Sequence, residues 1–147
     1  MAGKIPKKKD RPGIDRLGRT ALHYAAVDKN FDEAKRLISQ GENVNARDDN
    51  DWTPLHFATQ AGTIEIVKLL LQNGAEIDAA NSSGATPLLS AVTNYIGDGT
   101  IIKMLRDAGA NPNHDNRNGI SPLYAARNFC SDLTRDCPAS EFFTDLP

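Results

Sequence analysis

The sequence predicts an all-α protein, a solenoid of about four helix-turn-helix units with short β-hairpin-like connections. A string that starts with Thr or Ser recurs at steps of 33, 33 and 35 residues, and a string that starts with Gly recurs in phase with it. Apolar runs lie between the two strings. Because one such unit cannot bury its own apolar face, the units must stack on one another.

The first string predicts the start of an inner helix in each unit. Its Thr or Ser serves as an N-cap, whose oxygen accepts backbone N–H groups of the first turn. The Pro that usually follows suits the first helical position, where the missing N–H had no partner. The four copies begin at Thr20, Thr53, Thr86 and Ser121.

The apolar runs predict a second, outer helix. In the second unit, the residues at the spacing of one buried helical face are Ile64, Val67, Leu70 and Leu71. The second string then ends the outer helix, since its Gly suits the left-handed conformation that follows a helix. These glycines are Gly41, Gly74 and Gly109.

The connections between units are rich in Asn, Asp and Gly, as turns require. Asp51 stands where the other units have Gly, so we expect it to adopt a positive φ, which Asp tolerates better than most residues. The polar run 48–51 lacks the Gly and Glu that an EF-hand loop places sixth and twelfth. It is therefore interpreted as a polar turn tip and not as a calcium site.

The two strings and their period resemble those of the ankyrin repeat family. Residues 53–58 read T-P-L-H-F-A, residues 74–79 read G-A-E-I-D-A, and both strings recur with the 33-residue step. The resemblance covers about residues 15–128 and implies that the chain binds another protein. We expect a disordered basic tail at 1–13 and a repeat domain over 14–147, with units at about 15–47, 48–80, 81–115 and 116–147.

Composition and charge weigh against other classes. The net charge of −2 combines +4 in residues 1–13 with −6 in the remainder, so the body argues against nucleic acid as the main partner, although the basic tail leaves such a contact open. Every apolar run is shorter than the roughly 18 residues of a membrane span, which favours a cytoplasmic protein. Cys130 and Cys137 are interpreted as reduced thiols, or as a disulfide if the protein is exported.

His23 and His56 occupy the same position in successive units. A catalytic His occurs once and has an acid or a nucleophile as its partner. We therefore interpret these two as structural, joining the start of a helix to the neighbouring turn by hydrogen bonds. Leu89 and Tyr124 replace them in the later units. The sequence predicts no catalytic residue, cofactor, metal site or small-molecule substrate.

Two segments depart from the repeat. The third unit carries a two-residue insertion within 94–100, which either contributes to the binding face or has no role. The C-terminal segment 128–147 replaces an outer helix, and terminal repeats are commonly atypical because they cap the stack. We expect a short helix after Pro138, with Phe142 and Phe143 packed into the cap.

The resemblance also implies which residues face a partner. They are the two residues after the Asp or Asn of each turn, the residue before the capping Thr or Ser, and residues that follow the inner helices. Trp52 lies near the middle of this set, and Trp and Arg commonly dominate interface energies. We name the set the predicted binding stripe; its members are Arg16, Leu17, Arg19, Asp28, Asp49, Asn50, Trp52, Gln60, Ser82, Ser83, Thr93, Asn94, Tyr95, Arg117, Asn118 and Ile120.

A chain of this kind acts by occupying a partner, and two functions remain open. Residues 95–99, 101–113 and 142–147 resemble small bacterial ankyrin proteins, which are often cytosolic immunity proteins of polymorphic-toxin systems. This resemblance implies an inhibitor that covers a cognate toxin and is monomeric without it. The alternative is a cytosolic adaptor or scaffold that binds housekeeping partners.

Overall fold

The computed structural model describes residues 13–95, 98–128 and 138–147. The predicted tail, apart from Gly13, and both cysteines lie outside the described residues. In these ranges no helix has the length and the apolar character that crossing a membrane requires. The helices of these ranges are α1 (Ala21–Val27), α2 (Phe31–Ser39), α3 (Pro54–Ala61), α4 (Ile64–Gln72), α5 (Pro87–Thr93), α6 (Thr100–Asp107), α7 (Pro122–Asn128) and a C-terminal 3-10 helix (Pro138–Phe143).

The inner helices α1, α3, α5 and α7 start where the first string predicts. The Thr86 hydroxyl accepts a hydrogen bond from the Leu89 amide at 3.3 Å, and the Ser121 hydroxyl accepts one from the Tyr124 amide at 3.1 Å. Thr53 caps α3 in the same way, with Pro54 in the first turn. The cap therefore works with His, Leu or Tyr at its third helical position.

The outer helices α2, α4 and α6 each end two residues before a predicted glycine. Gly41, Gly74 and Gly109 have φ of 89°, 84° and 93°, which confirms the left-handed conformation. Asp51 also has the expected positive φ, 59°. Lys29, in the connection from α1 to α2, has a φ of 58°, which no motif in the sequence predicts.

The core lies between successive helix pairs. The inner helices pack in the order α1, α3, α5, α7, and the outer helices α2, α4 and α6 form a second row behind them. The predicted buried face of α4 is only partly right, because Ile66 is fully buried while Leu71 is only half-buried. The reason is that α4 contacts α3, α2 and α6 together, so it buries a wider face than contact with one helix would.

The connections between units are tight turns, each built on an Asp or Asn side chain. The Asp48 carboxylate accepts hydrogen bonds from the Asn50 and Trp52 amides, both at 2.9 Å. One bridge, between Ile14 and Thr20, is the extent of β-pairing in the described part of the chain, so the β-hairpin-like connections do not take the form of strands. Side-chain oxygens satisfy the amides that a strand ladder would otherwise pair. The same arrangement recurs at Asp15, Asn81 and Asn116.

The C-terminal segment closes the end of the stack. Phe143 is 1% exposed, and the Arg106 guanidinium forms an ion pair with Asp145 at 2.6 Å. Arg127 donates to the carbonyls of the last two residues at 3.3 and 3.2 Å. The predicted short helix after Pro138 and the packing of Phe142 and Phe143 are both confirmed.

Candidate protein-binding surface

The turn tips form one continuous row. The Asp49 amide donates to the Leu17 carbonyl at 2.8 Å, the Ser82 amide to Asn50 at 2.9 Å, and the Arg117 amide to Ser83 at 2.9 Å. Each turn is therefore tied to the next by one backbone hydrogen bond. The tip members of the predicted binding stripe are brought together; those exposed to solvent are Arg16, Leu17, Asp49, Asn50, Ser83, Arg117 and Asn118, while Ser82 is half-buried.

The stripe residues that precede the capping Thr or Ser are half-buried at the base of the turns. Trp52 packs on Phe57 with ring centroids 5.2 Å apart and on His56 at 5.4 Å. Arg19 of the preceding unit lies over the same Phe57 ring, with its Cζ 4.8 Å from the centroid. Trp52 and Arg19 are thus held on one buried aromatic ring. Ile120 occupies the corresponding half-buried position in the fourth unit.

The buried side chain of Asp48 holds Arg19 and the backbone of Trp52 in place. Its side chain is 2% exposed and lies 3.4 Å from Arg19 Nε, in addition to the two amides that it accepts from. The carboxylate is therefore engaged on both oxygens inside the turn. This supports the interpretation of residues 48–51 as a polar tip.

His23 and His56, which occupy the same position in successive units, hold the turns to the helices. The Thr20 amide donates to His23 Nδ1 at 3.0 Å, so the proton lies on Nε2, which donates to the Trp52 carbonyl at 3.0 Å. His56 repeats this between the Thr53 amide and the Ala85 carbonyl, at 3.2 and 3.0 Å. Both rings are fully buried, and this burial lowers the pKa of each below its ordinary value. The predicted structural role is confirmed, and His23 directly positions the backbone of Trp52.

The inner helices supply the second part of the surface. Asp28, Gln60, Thr93 and Asn94 are exposed where these helices end. Sequence reasoning missed Val27, which is 41% exposed and lies 33 residues before Gln60, at the same position of the repeat. That spacing was the available signal. Tyr95, the next residue after Asn94, is half-buried and packs against Phe142 at 6.2 Å between ring centroids.

Comparison with known sequences agrees with this architecture. A family model described as ankyrin repeats (3 copies) matches residues 4–81 and 22–116. A comparison with curated proteins found no match. Ankyrin repeats are protein–protein interaction modules, which fits a row of tied turn tips beside exposed helix ends. With well over half of its length matched, this chain belongs to the ankyrin-repeat family.

Proposed function

We propose that this protein binds one partner protein along the predicted binding stripe and blocks a surface that the partner needs. The observation that carries the proposal is the placement of Trp52 and Arg19 on the buried Phe57 ring, in the middle of the row of tips. Aromatic and Arg side chains held rigidly at the centre of a surface are the usual energetic anchors of protein interfaces. Because they are already ordered, binding them loses little conformational entropy.

In its more specific form, the proposal is that the partner is a toxin and that this protein is its cytoplasmic immunity protein, monomeric before it binds. The support is the resemblance of residues 95–99, 101–113 and 142–147 to small bacterial immunity proteins. A blocking protein needs a rigid surface and no chemistry of its own. The engaged Asp48 and the neutral, buried His23 and His56 fit that requirement.

The test is to isolate the partner by affinity purification of the full chain from its source cells, and then to express that partner alone and together with the chain. We expect one stoichiometric partner that arrests growth alone and is harmless when co-expressed. Several harmless partners would contradict the immunity role and favour the adaptor, while retaining protein binding. A chain for which no partner is found under any growth condition would contradict the proposal as a whole.

A further inference from the structure

A cavity of about 230 Å³ lies at the base of the helix pairs, beside the exposed helix ends of the stripe. It is lined by the C-terminal ends of α3 and α5 and by the N-terminal ends of α4 and α6. Gln60 and Asn94, both members of the stripe, stand at its edge. Sites for drug-sized ligands occupy roughly 300–1,000 Å³. This cavity is therefore closer in size to a single side chain.

The lining of the cavity combines apolar and polar residues. Ala61, Ile64 and Ile101 supply carbon surface. Two of the polar residues in the lining use their donors internally: the Thr59 hydroxyl donates to the Leu55 carbonyl at 2.7 Å, and the Asn94 side-chain amide donates to the Ser90 carbonyl at 2.8 Å. An apolar side chain placed here would displace water without leaving those donors unpaired.

The departures from the repeat meet at this cavity. The connection between α5 and α6 spans six residues, 94–99, whereas only residues 62–63 connect α3 to α4. Tyr95 from the longer connection lines the cavity, and the Phe142 ring packs against it. Phe142 can reach this place because residue 99 is Gly and has no side chain. A Cβ atom at this position would lie only 1.8 Å from the Phe142 ring. Tyr95 and Phe142 together therefore support one wall of the cavity.

Two charged residues line the cavity, Asp98 and Lys29, and they differ in whether they can pair with a bound molecule. Asp98 accepts hydrogen bonds from both the amide and the hydroxyl of Thr100, so its carboxylate is occupied. Lys29 also lines the cavity, is exposed, and forms no side-chain hydrogen bond or ion pair with another described residue. The ammonium group is therefore the charge that a bound molecule can use, and it complements a carboxylate.

We propose that this cavity receives one apolar side chain of the partner protein, from a segment in which an acidic residue follows the apolar one and meets Lys29. The inference rests on the proposed function and adds the chemistry of the recognised segment. Such a contact sets the position of the partner along the stripe, because Tyr95 and the Lys29 ammonium lie together at this one cavity.

The test is a ¹⁵N–¹H NMR titration of the full chain with acetylated and amidated tetrapeptides. The probe is Ala-Phe-Asp-Ala, and the matched peptides are Ala-Phe-Lys-Ala and Ala-Ser-Asp-Ala. We expect the probe to shift the amides of Ala61, Gly62 and Asn94, the Lys peptide to bind about fivefold more weakly, and the Ser peptide to cause no shift. No shift at these amides up to about 10 mM probe, or equal shifts with all three peptides, would overturn the proposal.

Two variants link the binding to the cavity. Ala61→Leu fills it and should abolish the shifts, whereas Ala108→Leu, at an exposed site after α6, should leave them unchanged. Lys29→Gln should still bind the Phe peptides but should no longer prefer the Asp peptide to the Lys peptide. This variant tests the proposal even if Ala61→Leu does not fold. Undiminished binding to a folded Ala61→Leu chain, or an unchanged preference in Lys29→Gln, would show that the peptide binds elsewhere.

Failure of the inference can be told apart from failure of the proposed function. If the isolated partner binds folded Ala61→Leu as tightly as it binds the unchanged chain, the cavity is not the recognition site, although the chain still binds a protein. If no partner exists, the proposed function fails, and the peptide titration alone decides whether the cavity recognises an apolar residue followed by an acidic one.

Discussion

Lys29 and Asp51 hold a left-handed backbone conformation, with φ of 58° and 59°, although neither is Gly. A non-glycine residue in this conformation is destabilised by roughly 1–2 kcal/mol, and Asp by less because its short polar side chain suits it. The corresponding place at the end of α3 has Gly62, with a φ of 73°. The connection from α1 to α2 therefore contains a strain that the next unit avoids.

We predict that Lys29→Gly raises the free energy of unfolding by about 0.5–1 kcal/mol, because relief of the strain outweighs the greater flexibility of Gly in the unfolded chain. Asp51→Gly should be neutral within about 0.5 kcal/mol, since Asp tolerates the conformation. Urea unfolding at constant slope measures both. A larger gain for Asp51→Gly than for Lys29→Gly would contradict this account.

The buried histidines give the fold a pH dependence. Burial lowers the pKa of His23 and His56 in the folded protein, so on acidification the unfolded chain takes up protons first, from about pH 6.5 downward. The stability that they contribute is complete above this pH and is lost as the pH falls towards the folded pKa. With two such groups the free energy of unfolding should fall by at most about 2.7 kcal/mol per pH unit.

We predict that replacing both histidines by Leu, the residue at position 89 of the third unit, flattens the pH dependence between about pH 7 and 5. The pKa values of Asp15, Glu33 and Asp98 are lowered by hydrogen bonds, so these groups titrate below this window. Thermal unfolding across the window measures the effect. An equally steep dependence in the Leu variant would assign it to other groups.

At the scale of elements, the best-predicted features are those that every unit repeats. Thr before Pro predicts the start of an inner helix and Gly the end of an outer helix, because each residue acts on the backbone beside it. The burial of Ile66 could not be predicted in this way, since α4 contacts α2, α3 and α6 together. The half-burial of Trp52 likewise depends on Phe57, five residues further along the chain.

The contact between Gly99 and Phe142 could not be predicted either, because it depends on residues far apart in the chain. It joins two segments 43 residues apart, and neither segment follows the repeat. The absence of a side chain at Gly99 gives the Phe142 ring its place. No local pattern records such a relation, although the sequence did predict that Phe142 packs into the cap.

We predict that Gly99→Ala and Phe142→Ala each destabilise the protein and that their effects are not additive. Gly99 has a φ of −84°, so Ala is compatible with the backbone there and its cost comes from displacing the ring. Phe142→Ala should cost about 1–2 kcal/mol for a half-buried ring, and clearly less when Gly99→Ala is already present. A double-mutant cycle from chemical unfolding measures this coupling. Strict additivity would mean that Phe142 does not depend on the space at Gly99.

At the scale of the whole molecule, the hydrogen bonds that hold neighbouring units together also position the turn tips of the proposed binding surface. Each turn is tied to the next through one backbone hydrogen bond, and His23 and His56 tie the inner helices to the turns of the following units. In a solenoid each unit contacts only its neighbours, so these links transmit order along the row. The tips are therefore positioned before a partner arrives, which reduces the entropy lost on binding.

Trp52 tests whether this row is the binding surface. Its indole packs on Phe57 and His56, so Trp52→Ala should lower the free energy of unfolding by about 1–2 kcal/mol even without a partner. If Trp52 is also a central anchor, partner affinity should fall by about thirtyfold, or roughly 2 kcal/mol. Leu69→Ala is the control, because Leu69 is a half-buried apolar residue of the outer helix α4 that lies outside the stripe, so it should change affinity by less than about threefold. Affinity is measured by calorimetry at a temperature where both variants are fully folded. Unchanged affinity in a destabilised Trp52→Ala protein would mean that the tryptophan serves only the fold and that the partner binds another face.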